Sequence, residues 1–236
     1  MTSLDLSGNI ITSFETLALL LQWSPNITKL NIANTGLTTV DLKDLLKEIP
    51  TIEWLNISDN NLGDSGLLIL EDALKSKKQL KTLLMDRTLE KRTSARIKAM
   101  EALGGFLNSN ECAITTFSIV GGQKSSLKGD LVPFVISLMA NDTLTSLDIS
   151  SNAGGNTLAL ATSKMLQNNN TLKYLALDDN GITLLGFQAL RQALLQNNTL
   201  QCLAQPTLDV SATLTKEDKN SILEVLRDIE RVTKIQ

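Results

Sequence analysis

The side chains best suited to acid–base or metal chemistry are missing or scattered in this chain. None of its 236 residues is a histidine, which removes His-based triads, imidazole general bases and the commonest zinc ligand together. Cys112 and Cys202 stand far apart, form no CxxC pair and have no basic sequence neighbour to lower a thiol pKa. They read as repeat-core or strand residues of a reduced, cytoplasmic chain. The stretch GGQKSS at 121–126 has a glycine pair and a lysine. It lacks the G-x-x-x-x-G-K-[ST] spacing of a phosphate cradle and reads as a strand-to-helix turn. Acids recur singly instead of as a converging pair, so general acid–base catalysis has no centre. No enzyme, cofactor or metal is expected; the remaining chemistry is recognition.

The residues that could carry recognition are Trp54, Asn56, Asp86, Asp148, Tyr174 and Asp178, and their placing follows from a repeat. TLTSLDISSN at 143–152 returns as TLKYLALDDN at 171–180. Aligning on L-x-x-L-x-L-x-x-N gives eight copies, with middle residues Leu4, Leu30, Leu55, Leu83, Phe117, Leu147, Leu175 and Leu203. Their spacings are 26, 25, 28, 34, 30, 28 and 28 residues, the period of a leucine-rich repeat with room for a helix in each unit. In LTSLDIS the alternation turns Leu147 and Ile149 inward and Ser146, Asp148 and Ser150 outward. The closing Asn of the motif (Asn9, Asn60, Asn152, Asn180) can satisfy backbone groups where the chain leaves the strand. Thr35, Thr88 and Gly122 replace it in three copies, so less regular turns are expected there.

Between the strands the period changes to 3.6. In GFQALRQALLQNN, Phe187, Leu190, Leu194 and Leu195 share a face, and similar helices fit 14–23, 39–48, 64–77, 93–109, 130–140 and 157–167. One such unit cannot bury its own apolar face, so the fold expected is an α/β solenoid, with parallel strands on the concave side and helices on the convex side. Residues 1–210 form about eight repeats. Residues 211–236 form a charged amphipathic capping helix, with Thr215 as its N-cap and Ile222, Leu226 and Ile229 inward. No equivalent cap precedes Leu4. That leads us to expect a longer parent protein, or self-association through the uncapped first repeat.

Composition limits the partners. Hydrophobic residues are 42% of the chain but aromatics only 3%, so the core is built from Leu, Ile, Val and Ala. A net charge of −3 and a pI near 5.1 argue against nucleic acid or an anionic membrane as the main partner. The outward strand positions, from Asp5, Lys29 and Asn31 through to Asp178, make a mildly acidic strip that suits a basic or mixed segment, with Trp54 and Tyr174 as anchors. Trp23, at a helix end, is expected beneath a turn. A run of nine basic residues lies between Lys75 and Lys98, with Lys77, Lys78, Lys91 and Arg92 as candidates for weak contact with a membrane or an acidic partner. A solvated rim is the plainer reading. Five N-x-S/T sequons (Asn26, Asn56, Asn141, Asn169, Asn197) are read as repeat composition, not glycan sites.

Over residues 143–236, the step NGITLLGFQAL, the departure from the repeat at LAQPTLDVSA and the closing KEDKNSILEVLRDIE resemble the end of the repeat domain in CARMIL proteins. TIEWLNISDNNLGDSGLLILEDAL and the long unit after Leu83 are similar in layout. The resemblance implies a scaffold for actin regulators at the cytoskeleton or cell cortex. It also implies flanking membrane-binding, dimerisation and capping-protein-binding segments, none of which is visible in this sequence. The alternative is an inhibitor or sensor of the ribonuclease-inhibitor kind, which shares the 28-residue period but tends toward abundant cysteine and alternating repeat lengths.

Overall fold

The computed structural model describes residues 1–49, 51–214 and 219–235. Eight strands lie in one parallel sheet in chain order: β1 (Ser3–Asp5), β2 (Lys29–Asn31), β3 (Trp54–Asn56), β4 (Thr82–Leu84), β5 (Thr116–Ser118), β6 (Ser146–Asp148), β7 (Tyr174–Ala176) and β8 (Cys202–Leu203). The eight middle residues of the motif pair from strand to strand without a slip. Those from Leu30 to Leu175 are fully buried, and Leu4 and Leu203 at the two ends are half-buried. The convex layer contains α1 (Phe14–Gln22), α2 (Thr39–Glu48), α3 (Gly63–Leu74), α4 (Arg96–Leu107), α5 (Val132–Ser137), α6 (Gly155–Leu166) and α7 (Leu184–Leu194), each packed on the next. Strands stack about 4.8 Å apart, whereas packed helices need about 8–10 Å, so the sheet takes the inner, concave side.

The short strands are held by asparagines at both ends. At the exit end, the buried Asn60, Asn152 and Asn180 each donate Nδ2 to carbonyls of their own turn and of the preceding one. Their Oδ1 atoms accept backbone N–H groups, from Thr35 and Leu37, from Leu127, and from Asn152 and Gly154 respectively. At the entry end, Asn141, Asn169 and Asn197 form a second ladder. Their amides donate to Leu107, to Leu138 and Asn141, and to Leu166 and Asn169, while Oδ1 accepts the N–H of Leu144, Leu172 and Leu200. These three are sequon asparagines, and burial with both amide atoms engaged closes them to glycan attachment in the folded chain.

The threonine turns are more regular than expected. Thr35 and Thr88 are buried and donate to the carbonyls of Ile32 and Met85, at 2.8 Å each. That carbonyl sits three residues back, as in the Asn turns. The residue before the ladder position is left-handed in both kinds of turn: Asn34, Asp59, Arg87, Ser151 and Asp179 all have φ between 52° and 58°. Of the three copies without the asparagine named above, only that of Gly122 departs. There Gly121 lies so close to the carbonyl oxygen of Ser151 that a side chain would collide with it.

Other expectations change in detail. Trp23 is 85% exposed, not tucked beneath a turn; it is the C-cap of α1, past the last helical residue. In α7, Phe187, Leu190 and Leu194 are buried as expected, but Leu195 lies beyond the last turn and is exposed, and Ala193 takes the inward place. The helix expected at 130–140 is split into a 3-10 turn at Lys128–Leu131, α5 and a second 3-10 turn at Leu138–Ala140. Pro133 has no N–H to continue the preceding turn. At the C-terminal end two helices follow β8, α8 (Thr207–Leu214) and α9 (Lys219–Ile235), where one was expected. Ile222 and Ile229 are buried, with Val225 between them, and Leu226 is half-buried. The expected cap at Thr215 falls outside the described residues.

Candidate functional site: the concave face

Strand register puts the candidate residues into rows across the sheet. The first outward row runs Ser3, Lys29, Trp54, Thr82, Thr116, Ser146, Tyr174 and Cys202. Trp54 and Tyr174 therefore sit four strands apart in one row, about 19 Å at the usual strand spacing. Three small hydroxylated residues, Thr82, Thr116 and Ser146, lie between them. The second row runs Asp5, Asn31, Asn56, Leu84, Ser118, Asp148 and Ala176. Beyond it, past the strand ends, come Asp86 and Asp178. The hydroxyl floor was not singled out from sequence, although register alone identifies it once the eight motif copies are aligned.

The acids differ in how free they are. Asp148 Oδ1 accepts the N–H of Ser150, and Asn56 Oδ1 that of Ser58, leaving each half-buried residue with further capacity. Asp86 is more enclosed. Desolvation raises its pKa, against the hydroxyl of Ser118 and the N–H of Val120, which bond its Oδ1 and work to lower it; the charge of Asp148 adds to the rise. Asp178 is committed to the fold. Its carboxylate accepts the N–H groups of Leu208, Asp209 and Asp179 and the hydroxyl of Thr207, and so caps the N-terminus of α8. Burial works to raise its pKa, but these hydrogen bonds outweigh burial and hold it below the usual carboxylate value. Asp209 in turn accepts from the N–H of Asn180 and Gly181, which ends the exit-side asparagine ladder with a carboxylate. Tyr174 is 39% exposed; desolvation and then the charge of Asp148 raise its pKa, so its hydroxyl stays protonated.

The basic rim does not form as a unit. Lys77 is only 6% exposed, because it occupies the entry-side position held by Asn141, Asn169 and Asn197 in later repeats; desolvation lowers its pKa. Arg92 is exposed but forms two bonds to the Asp130 carboxylate, and Arg87 does the same with Asp59. Arg96 is buried against Asp64, whose other oxygen accepts the N–H and hydroxyl of Thr93. That pair ties α3 to the long 34-residue repeat. Lys78 and Lys91 remain exposed. Among the described residues no group of acids and cysteines could hold a metal ion.

Comparison with known proteins fits this geometry. A family model described as "Leucine Rich repeat" matches residues 49–68 and 168–190. The chain is 33% identical to Protein CARMIL of Dictyostelium discoideum over 69% of its length, and 29% identical to human Capping protein, Arp2/3 and myosin-I linker protein 3 over 72%. It is a leucine-rich-repeat domain of the CARMIL family. It is also 32% identical, over 97% of its length, to Rho GTPase-activating protein gacW of Dictyostelium discoideum. The chain spans 22% of that relative, 16% of Protein CARMIL and 12% of the human protein. Among solved structures, the leucine-rich repeat-containing protein LegL7 of Legionella pneumophila aligns over 98% of this chain and 91% of its own, at 16% identity and a TM-score of 0.50, a likeness of fold.

Proposed function

We propose that the chain is a non-catalytic docking module whose concave face holds a basic or mixed protein segment, within an assembly that regulates actin. The row from Trp54 to Tyr174 carries this reading. Two aromatic side chains bound a floor of Thr82, Thr116 and Ser146, with Asp148 in the adjoining row. An extended segment of about six residues spans that distance at roughly 3.3 Å per residue. Aromatic anchors at its ends supply most of the contact energy, and Asp148 and Asp86 favour positive charge between them. The actin link comes from the relatives' names, one of which joins capping protein, Arp2/3 and myosin-I. The repeats recur in a relative named for a different activity, which supports reading them as a docking part and not as the seat of either activity. Among the described residues no helix is long and apolar enough to cross a membrane. A cytoplasmic, cortical placement goes with this reading.

The test is a pull-down from cytoplasmic extract with the parent chain beside a Trp54→Ala, Tyr174→Ala double variant. We expect the parent to capture an actin regulator and the variant to bind it at least about tenfold more weakly, the loss of one modest anchor. Equal capture by both would move the site off the concave face.

A further inference from the structure

The last strand of the sheet opens onto a cavity. β8 pairs with β7 and with no other strand among the described residues. Cys202 and Ala204 donate their N–H groups to the carbonyls of Lys173 and Leu175. Successive residues of a strand address opposite neighbours, so the N–H and C=O of Leu203 face the free side. A cavity of about 480 Å³ lies there, between the five residues Gln201–Gln205 and the capping helices, with Val210, Leu223, Leu226 and Ile229 as its apolar walls.

We infer that this cavity is a second binding site, taking an extended, apolar peptide strand that adds to β8 as the next member of the sheet. Its chemistry separates a peptide from a lipid. The walls favour apolar side chains and the volume is that of a ligand pocket. An acyl chain filling it, however, would dry the Leu203 N–H and C=O without pairing them, at a cost of about 1–3 kcal/mol for each group. A peptide strand satisfies both, and alternate side chains enter between Val210 and Leu226, the arrangement of strand addition at a sheet edge. Within the sheet every earlier strand is already followed by another, so β8 is where this edge becomes available. The site adjoins the Tyr174 end of the trough proposed above, since Cys202 is Tyr174's neighbour in the outward row, but its chemistry does not depend on that trough.

Cys202 makes the test direct, because it is exposed at the cavity while Cys112 is buried, so maleimide reports on this end of the sheet and the aromatic variant separates the cavity from the trough. A displayed library of random ten-residue peptides is selected on the parent chain, and enriched sequences are synthesised with and without N-methylation of alternate amides. We expect enriched peptides with alternating apolar residues that slow Cys202 labelling about tenfold at a concentration ten times their Kd. Protection should vanish on N-methylation and in Leu223→Arg, whose circular dichroism and melting confirm folding, and persist in the Trp54→Ala, Tyr174→Ala variant. If Leu223→Arg does not fold, N-methylation alone decides. The inference is overturned if no enriched peptide protects Cys202, if N-methylated peptides protect equally, or if oleate protects where peptides do not. Protection lost in the aromatic variant instead would assign the peptides to the concave trough.

Discussion

The two halves of the array solve one problem by different chemistry. From Asn141 onward, amides do the work: asparagine ladders run along both ends of the strands, each side chain bonding backbone groups of its own and a neighbouring turn. In the first half no asparagine stands at the entry-side position, which holds Ser24, Ile49, Lys77 and Glu111 in turn. Two of the first four exit turns use a threonine hydroxyl. Ion pairs add cross-links on the exit side, buried at Asp64–Arg96 and exposed at Asp59–Arg87. A neutral amide both donates and accepts, so it can be repeated turn after turn without accumulating buried charge. An ion pair costs desolvation and depends on keeping both members. The amide half should therefore yield in small shared steps, the charged half at single positions.

The largest effect is expected at the buried pair. Arg96→Ala leaves the Asp64 charge in the core and should lower stability by about 3–5 kcal/mol, read as a shift in urea midpoint, with hydrogen exchange rising first in α3 and α4. Comparable loss from Arg92→Ala, whose guanidinium is exposed, would break the distinction. Next come the ladders. Asn169→Ala strands the carbonyl of Asn141 and the N–H of Leu172 and takes one of two donors from the carbonyl of Leu138, for a loss of roughly 2–3 kcal/mol, whereas Thr35→Ala takes one donor from the Ile32 carbonyl, which keeps the amide of Asn60, and should cost about 1 kcal/mol. Equal losses in thermal melts would mean that the hydroxyl turns are as heavily committed as the amide ones.

The smallest effect is at Asp178, the cap of α8. Asp178→Ala should cost about 1 kcal/mol at neutral pH. The folded pKa of this acid lies below its unfolded value, so its contribution is complete above the ordinary carboxylate range and is lost as pH falls through the folded pKa. Parent and variant melting temperatures should thus converge on acidification below about pH 4. A gap that persists in acid would show that the carboxylate charge is not what holds α8.

Much of this was legible in the residues because a repeat has one local answer written eight times. The markers from Leu4 to Leu203 gave every strand, and the change of period from 2 to 3.6 gave the helices within a few residues. Proline at 133 and the second capping helix escaped, since periodicity registers an apolar face and not a break in its hydrogen bonds. The candidate site was legible as a set of outward positions but not as a set of available groups. Asp178 and Lys77 carry the right charge in the right strand-and-loop positions, and the fold claims one as a helix cap and buries the other.

By itself, then, the sequence determined the repeat, the register and the direction each strand residue faces, because alternation and period are properties of neighbouring residues along the chain. Only the tertiary structure decided which polar groups were spent. The partners of Asn169, Asp64 and Asp178 lie about thirty residues away, a full repeat or more, and no local pattern names them. The same holds for the open side of Leu203: a strand's sequence does not say whether another will lie beside it, and that depends on where the stack meets its capping helices.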